Sequence, residues 1–153
     1  MSDLPPALPV TFRPGLTRAV LLSAGAAIFV VIAAVAVLLE QLTPGERISF
    51  VLTGTLLAGV LALLARPKVV ADDSGVTVVN IASRRHLEWP QVLQVNLRPG
   101  DPWVFLNLSD GTSLPVLGIQ PGIARQRAIA DARALRALVE SHATADPEQT
   151  RGA

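Results

Sequence analysis

Two apolar runs fill much of the first half of the chain, after which the pattern changes to alternation and finally to helical spacing. Residues 19–39 carry no charge, and as a helix rising about 1.5 Å per residue they would measure about 31 Å, close to the thickness of a hydrocarbon core. Residues 48–65 are likewise uncharged and would measure about 27 Å, near the short end of what can cross. Between them, Pro44 and Gly45 signal a turn, and Glu40, Glu46 and Arg47 mark the exit from lipid. The pattern predicts a transmembrane helical hairpin over residues 19–65.

Beyond Arg66 and Pro67 the apolar positions alternate, so a separate domain starts there. Residues 68–71 and 75–81 read as strands joined by an Asp-Asp-Ser-Gly turn. A third strand covers 85–89, with Leu87 and Trp89 on one face, and Pro90 ends it. In the fourth, 92–97, Leu93, Val95 and Leu97 are expected to point inward. Residues 103–109 put Val104, Leu106 and Leu108 on one face and Trp103, Phe105 and Asn107 on the other. Asp110 and Gly111 suit a type I′ turn into a last strand over 112–117, which Pro115 marks as an edge. Such strands make a small antiparallel barrel or curled sheet in need of a cover.

That cover is the segment 123–140, where Ala128, Ala132, Leu135 and Val139 recur at helical spacing, while Arg125, Asp131, Arg133, Arg136 and Glu140 cluster towards the other side. The fold class is α+β. Residues 66–141 form the domain; the Pro-rich stretch 1–18 is expected to be a disordered leader and 142–153 a disordered tail.

Charge sets the orientation. Arg13 and Arg18 precede the hairpin and Arg66 and Lys68 follow it, whereas its turn holds only Arg47; cytoplasmic flanks carry the excess of cations, so both termini are expected in the cytoplasm. A signal peptide is the alternative for the first run, because Ala34-Val-Ala36 resembles a cleavage site, although the apolar run continues past it. The preponderance of Arg over Lys, with abundant Ala, points to a GC-rich bacterial genome, and the expected location is a bacterial inner membrane with two crossings.

A hydrophobic fraction of 50% and a mean hydropathy of +0.47 are high for a soluble domain, and the two runs supply the excess. The net charge is only +1, too weak a field to gather nucleic acid. The absence of Cys excludes disulfides and thiolate metal sites. No zinc-ligand spacing, phosphate loop or paired nucleophile and base is present, so no cofactor, metal or catalytic residue is expected.

Three groups of residues are candidates for contact. Arg84 and Arg85, with juxtamembrane Arg66 and Lys68, could meet a phosphate or headgroup. Gly54 with Ala58, and Thr55 with Gly59, place small residues four apart, as do Ser23 and Ala27 on the first helix; packing within the hairpin explains these faces, and a dimer interface is the alternative. Trp103 and Phe105 offer an aromatic surface for a protein partner.

Asp-Ser-Gly-Val-Thr-Val at 73–78, Leu-Glu-Trp-Pro-Gln-Val at 87–92, the hairpin at 106–116 and the terminal helix together resemble the bacterial pleckstrin-homology (PH) proteins. The closer likeness is to the actinobacterial low-molecular-weight protein antigen PH-domain family. The resemblance implies a PH-like fold over residues 66–140 behind the hairpin. It does not bring headgroup recognition with it, since phosphoinositide-binding PH domains use a basic loop between their first two strands and the loop at 72–75 is acidic. The function expected is a non-enzymatic, membrane-anchored binding or assembly module. Its partners would be membrane lipids and an unidentified membrane or membrane-proximal protein, with a homo-oligomer as a further option and no nucleic acid. Lipid sensing, or service as an accessory subunit of a transport or secretion complex, are the alternatives.

Overall fold

The structure is a computed structural model that describes residues 4–151. Its contacts divide the chain into two units, the helical segment Gly15–Arg66 and a second unit formed by the leader together with the chain from Pro67 onward.

The helical unit is a hairpin of α1 (Gly15–Leu38) and α2 (Pro44–Leu64), which begin somewhat earlier than the apolar runs suggest. Both are long and apolar enough to cross a membrane, with mean hydropathies of 2.8 and 1.9 over their best windows. Polar groups of the turn are used locally. Thr43 caps α2 by accepting from the Glu46 N–H at 3.3 Å, while the Glu46 carboxylate accepts from the Thr43 N–H at 2.8 Å. Arg47 donates to the carbonyls of Leu42 and Leu39 in the turn that follows α1.

Among the described residues the second unit contains seven strands. Its first is not in the segment beyond the hairpin: β1 (Val10–Phe12) lies in the leader and pairs antiparallel with β2 (Lys68–Asp72), setting Phe12 opposite Val69. The expected disordered leader is therefore corrected here, since a short strand with a buried Phe12 survives among the prolines by borrowing the ladder of β2. β3 (Gly75–Val79) and β4 (Arg84–Glu88) complete a four-stranded sheet in the order β1-β2-β3-β4. β5 (Val92–Asn96), β6 (Val104–Leu108) and β7 (Ser113–Val116) form a second, three-stranded antiparallel sheet.

The two sheets do not close into a barrel. Between β4 and β5 the chain makes a 3-10 turn, Trp89–Gln91, around Pro90, which interrupts the ladder. On the other side, Asn80 bridges the sheets: its amide donates to the Pro115 carbonyl at 2.9 Å and its side-chain oxygen accepts from the Leu117 N–H at 3.1 Å. The core between the sheets includes Val69, Val76, Val78 and Leu87 from one and Val95, Val104, Leu106 and Val116 from the other.

Helix α3 (Arg125–Arg151) packs on β5 and the 3-10 turn through Ala128, Ala132, Leu135 and Val139, the stripe read from the sequence, joined by Leu138. The helix runs through the stretch expected to be a disordered tail. His142 lies within it, and its ring stacks on Trp89 at 4.0 Å with 9° between the planes, while the Trp89 indole donates to the Asp72 carbonyl. Residues 1–3 and 152–153, the ends of the expected leader and tail, lie outside the described residues.

Two local expectations are corrected. Leu93 is 64% exposed rather than inward, because a bulge between Val92 and Gln94 inserts it as an extra residue and puts Val92 on the core face. At the β6–β7 turn only Gly111 has positive φ, at +83°, so the turn is not type I′, which needs two such residues; Asp110 instead accepts from the Thr112 N–H at 2.9 Å.

Candidate interaction surfaces

The Trp103 and Phe105 side chains emerge on the outer side of β6, as alternation requires once Val104 and Leu106 are committed to the core. Their rings are 6.4 Å apart and inclined by 52°, and both residues are half-buried. Among the described residues the Trp103 Nε1 is the buried side-chain donor that finds no acceptor.

Arg84 and Arg85 open strand β4. Arg84 is opposite Val79 and Arg85 opposite Val78, and consecutive residues of a strand project to opposite faces, so the two guanidinium groups do not converge on one phosphate. Arg85 makes an ion pair with Asp110 at 3.6 Å across the two sheets. The Thr112 hydroxyl and N–H, followed by Arg85, hold the Asp110 carboxyl below its usual range.

At the β2–β3 turn the Asp72 carboxylate accepts from the Ser74 hydroxyl at 2.5 Å and from the N–H groups of Ser74 and Gly75. The Ser74 donors hold its pKa low. Ser74 Oγ is 3.5 Å from His86 Nε2, and His86 Nδ1 is 2.9 Å from Thr77 Oγ1. With its proton already directed at Asp72, the serine is not presented to the imidazole as a nucleophile; the group clamps a turn. Among the described residues no cluster of His, Asp and Glu suits a metal ion.

In the hairpin the two small-residue pairs separate. Gly54 is buried, with Ile32 and Phe29 over the position a Cβ would take, and Ala58 lies against Gly25. Thr55 and Gly59 are exposed, and Gly59 has open space around it. On α1 the small residue facing α2 is therefore Gly25, while Ser23 and Ala27 are exposed. Arg66 is exposed beyond the end of α2 and Lys68 is half-buried at the start of β2.

A groove of about 620 Å³ runs between the β5–β6 loop and the first half of α3, and four arginines line it: Arg98, Arg125, Arg133 and Arg136. Helical spacing showed the last three as a polar side; that Arg98 stands across from them required the tertiary structure.

A bacterial PH domain model matches residues 66–138. Uncharacterized proteins of Mycobacterium tuberculosis and Mycobacterium bovis are each 30% identical over 94 residues, covering 61% of this chain and 60% of their own. The chain thus matches rather less than two thirds of the length of these relatives. No solved structure matches it. The matched span takes in β2 to β7 and the packed half of α3, and leaves out β1, which completes the first sheet from the far side of the hairpin. Over residues 66–138 the chain is thus similar to the bacterial PH domain family.

Proposed function

We propose that the chain is an integral protein of a bacterial inner membrane whose PH domain lies on the cytoplasmic face and serves as a non-enzymatic binding and assembly module for protein partners. The observation that carries this reading is the β1–β2 ladder. The chain leaves the domain after Phe12 and returns at Lys68 to the neighbouring strand, so the ends of the helical hairpin must be on one side of the bilayer. Two crossings satisfy that condition; one does not. Arg13, Arg18, Arg66 and Lys68 favour the cytoplasm for that side, and Arg47, the turn's cation, is already engaged by backbone carbonyls.

Only Arg13 and Pro14 separate β1 from α1, and only residues 65–67 separate α2 from β2. Such short connections keep the domain at the membrane and raise its effective concentration towards partners there, so modest affinity suffices. Trp103 and Phe105 supply the contact surface, two half-buried aromatic rings of the kind that anchor protein interfaces. The exposed Thr55 and Gly59 face offers a second contact within the membrane, which would suit an accessory subunit. Headgroup binding at Arg84 and Arg85 is disfavoured by their opposed directions and the Asp110 ion pair.

A photo-crosslinking residue in place of Phe105, activated in native cells, is expected to trap a discrete membrane-associated protein, and loss of that adduct on Trp103→Ala would tie it to this face. Absence of any adduct would end the protein-contact reading. Binding of the chain to anionic vesicles that disappears with Arg84→Glu and Arg85→Glu would replace it with lipid sensing.

A further inference from the structure

The groove beside α3 is separate from the Trp103 and Phe105 face, and its construction indicates what it takes. Arg125, Ile129, Arg133 and Arg136 follow one another at intervals of four, four and three, which puts them on one side of the helix. From Arg125 to Arg136 this row extends about 16 Å. The facing wall is the loop 97–102, stiffened by Pro99 and Pro102 and closed on itself by Arg98 N–H to Asp101 Oδ2 at 2.9 Å and Asp101 N–H to the Arg98 carbonyl at 3.0 Å. Asp101 is the carboxylate of the lining, and its own loop already uses it. Arg136 is oriented by donation to the Val95 carbonyl at 3.0 Å, leaving further guanidinium donors for a ligand. Leu97 and Ile129 give the groove an apolar floor.

We infer that this groove binds an extended acidic peptide segment of a protein partner, with carboxylates on the arginine rim and an aliphatic side chain on the floor. The cations are strung along a line instead of gathered about a point. A single phosphate could meet Arg133 and Arg136 together but would leave Arg125 and Arg98 unused. An extended strand advances about 3.3 Å per residue, so roughly five residues span the row, and alternate side chains can serve rim and floor in turn. Arginine also matches carboxylates through two parallel hydrogen bonds.

The test uses the full chain in zwitterionic nanodiscs, with empty nanodiscs as the blank. The probe is a fluorescein-labelled peptide of sequence Glu-Leu-Glu-Ala-Glu-Leu-Glu, compared with its Gln-for-Glu analogue by anisotropy. The acidic peptide is expected to bind at least tenfold more tightly than the analogue. Arg125→Glu with Arg133→Glu should abolish the difference, whereas Arg84→Glu and Trp103→Ala should leave it within twofold. Arg125→Gln with Arg133→Gln, which introduces no repulsion into the fold, should also reduce it, with an unchanged melting temperature. Equal binding of the two peptides overturns the inference, as does an equal loss with Arg84→Glu, which would mean diffuse attraction. Complete displacement by inorganic phosphate, or by nanodiscs containing phosphatidylglycerol, would assign the groove to phosphate and overturn it as well. Loss with Trp103→Ala alone would place the peptide on the face described under the proposed function.

Discussion

Phe12 stands directly opposite Val69 in an antiparallel ladder, although the whole of Gly15–Arg66 lies between them in sequence. Phe12 is 5% exposed and belongs to the core. Phe12→Ala is expected to destabilise the domain by about 3 kcal/mol, the lower end for a buried Phe because an edge strand can relax. Urea denaturation of the purified full chain measures this. Cleavage after Ala36 would discard β1 altogether, so mass spectrometry of the mature protein should find residues 1–36 retained.

Gly75 opens β3 with φ +152°, and a Cβ there would come within 2.0 Å of the Leu87 carbonyl oxygen. Backbone cannot yield as a flexible side chain does. Gly75→Ala should therefore cost about 3 kcal/mol or more and separate β3 from β4 at that end, visible as faster amide exchange at Leu87 and Glu88.

Asn80 connects the sheets through two hydrogen bonds to main chain near the end of β7. Asn80→Ala removes both and strands a carbonyl and an N–H, for an expected loss of about 2 kcal/mol. Asn80→Asp tests the geometry, since it keeps the acceptor for Leu117 but replaces the donor to Pro115; it should lose stability too.

Burial raises the pKa of Asp131 on α3, against a smaller opposing pull from Arg127. A carboxyl whose folded pKa exceeds its unfolded one favours folding fully below the unfolded value, and that contribution disappears as pH rises through the folded value. At neutral pH the charged form is thus a burden. Asp131→Asn should raise the melting temperature at neutral pH and have no effect below the unfolded Asp pKa of roughly 3.9.

Gly54→Leu and Gly59→Leu distinguish the two faces of α2. A side chain at 54 would press on Ile32 and Phe29, whereas one at 59 meets open space. The first should destabilise the hairpin by about 1–3 kcal/mol. The second should leave the melting temperature unchanged and change only association with another protein, measured by co-purification.

The helices and most strands were legible in the sequence because each rests on a local period. The α3 stripe from Ala128 to Val139 could be read from spacing alone, and so could the core face of β6. Leu93 departs from the alternation because a bulge breaks the period without changing composition. β1 was hidden for another reason: a short strand among prolines has no pattern of its own and exists through β2. The site residues divide similarly. Arg84 and Arg85 are adjacent in sequence yet diverge in space, while Arg98 and Arg136 are distant in sequence and face one groove. Sequence proximity suggested the first pair, and only the fold assembles the second.

The insertion of the helical hairpin between two neighbouring strands has a consequence in time. During synthesis β1 is made first and must wait, without its partner, until both helices and then β2 have emerged. If the helices enter the membrane correctly, β1 and β2 meet on one side and Phe12 enters the core. If only one helix enters, the bilayer stands between the strands, the edge of β2 remains unpaired and the core lacks Phe12. Completion of the first sheet thereby depends on chain made some sixty residues apart, and Phe12 can join the core only once β2 exists.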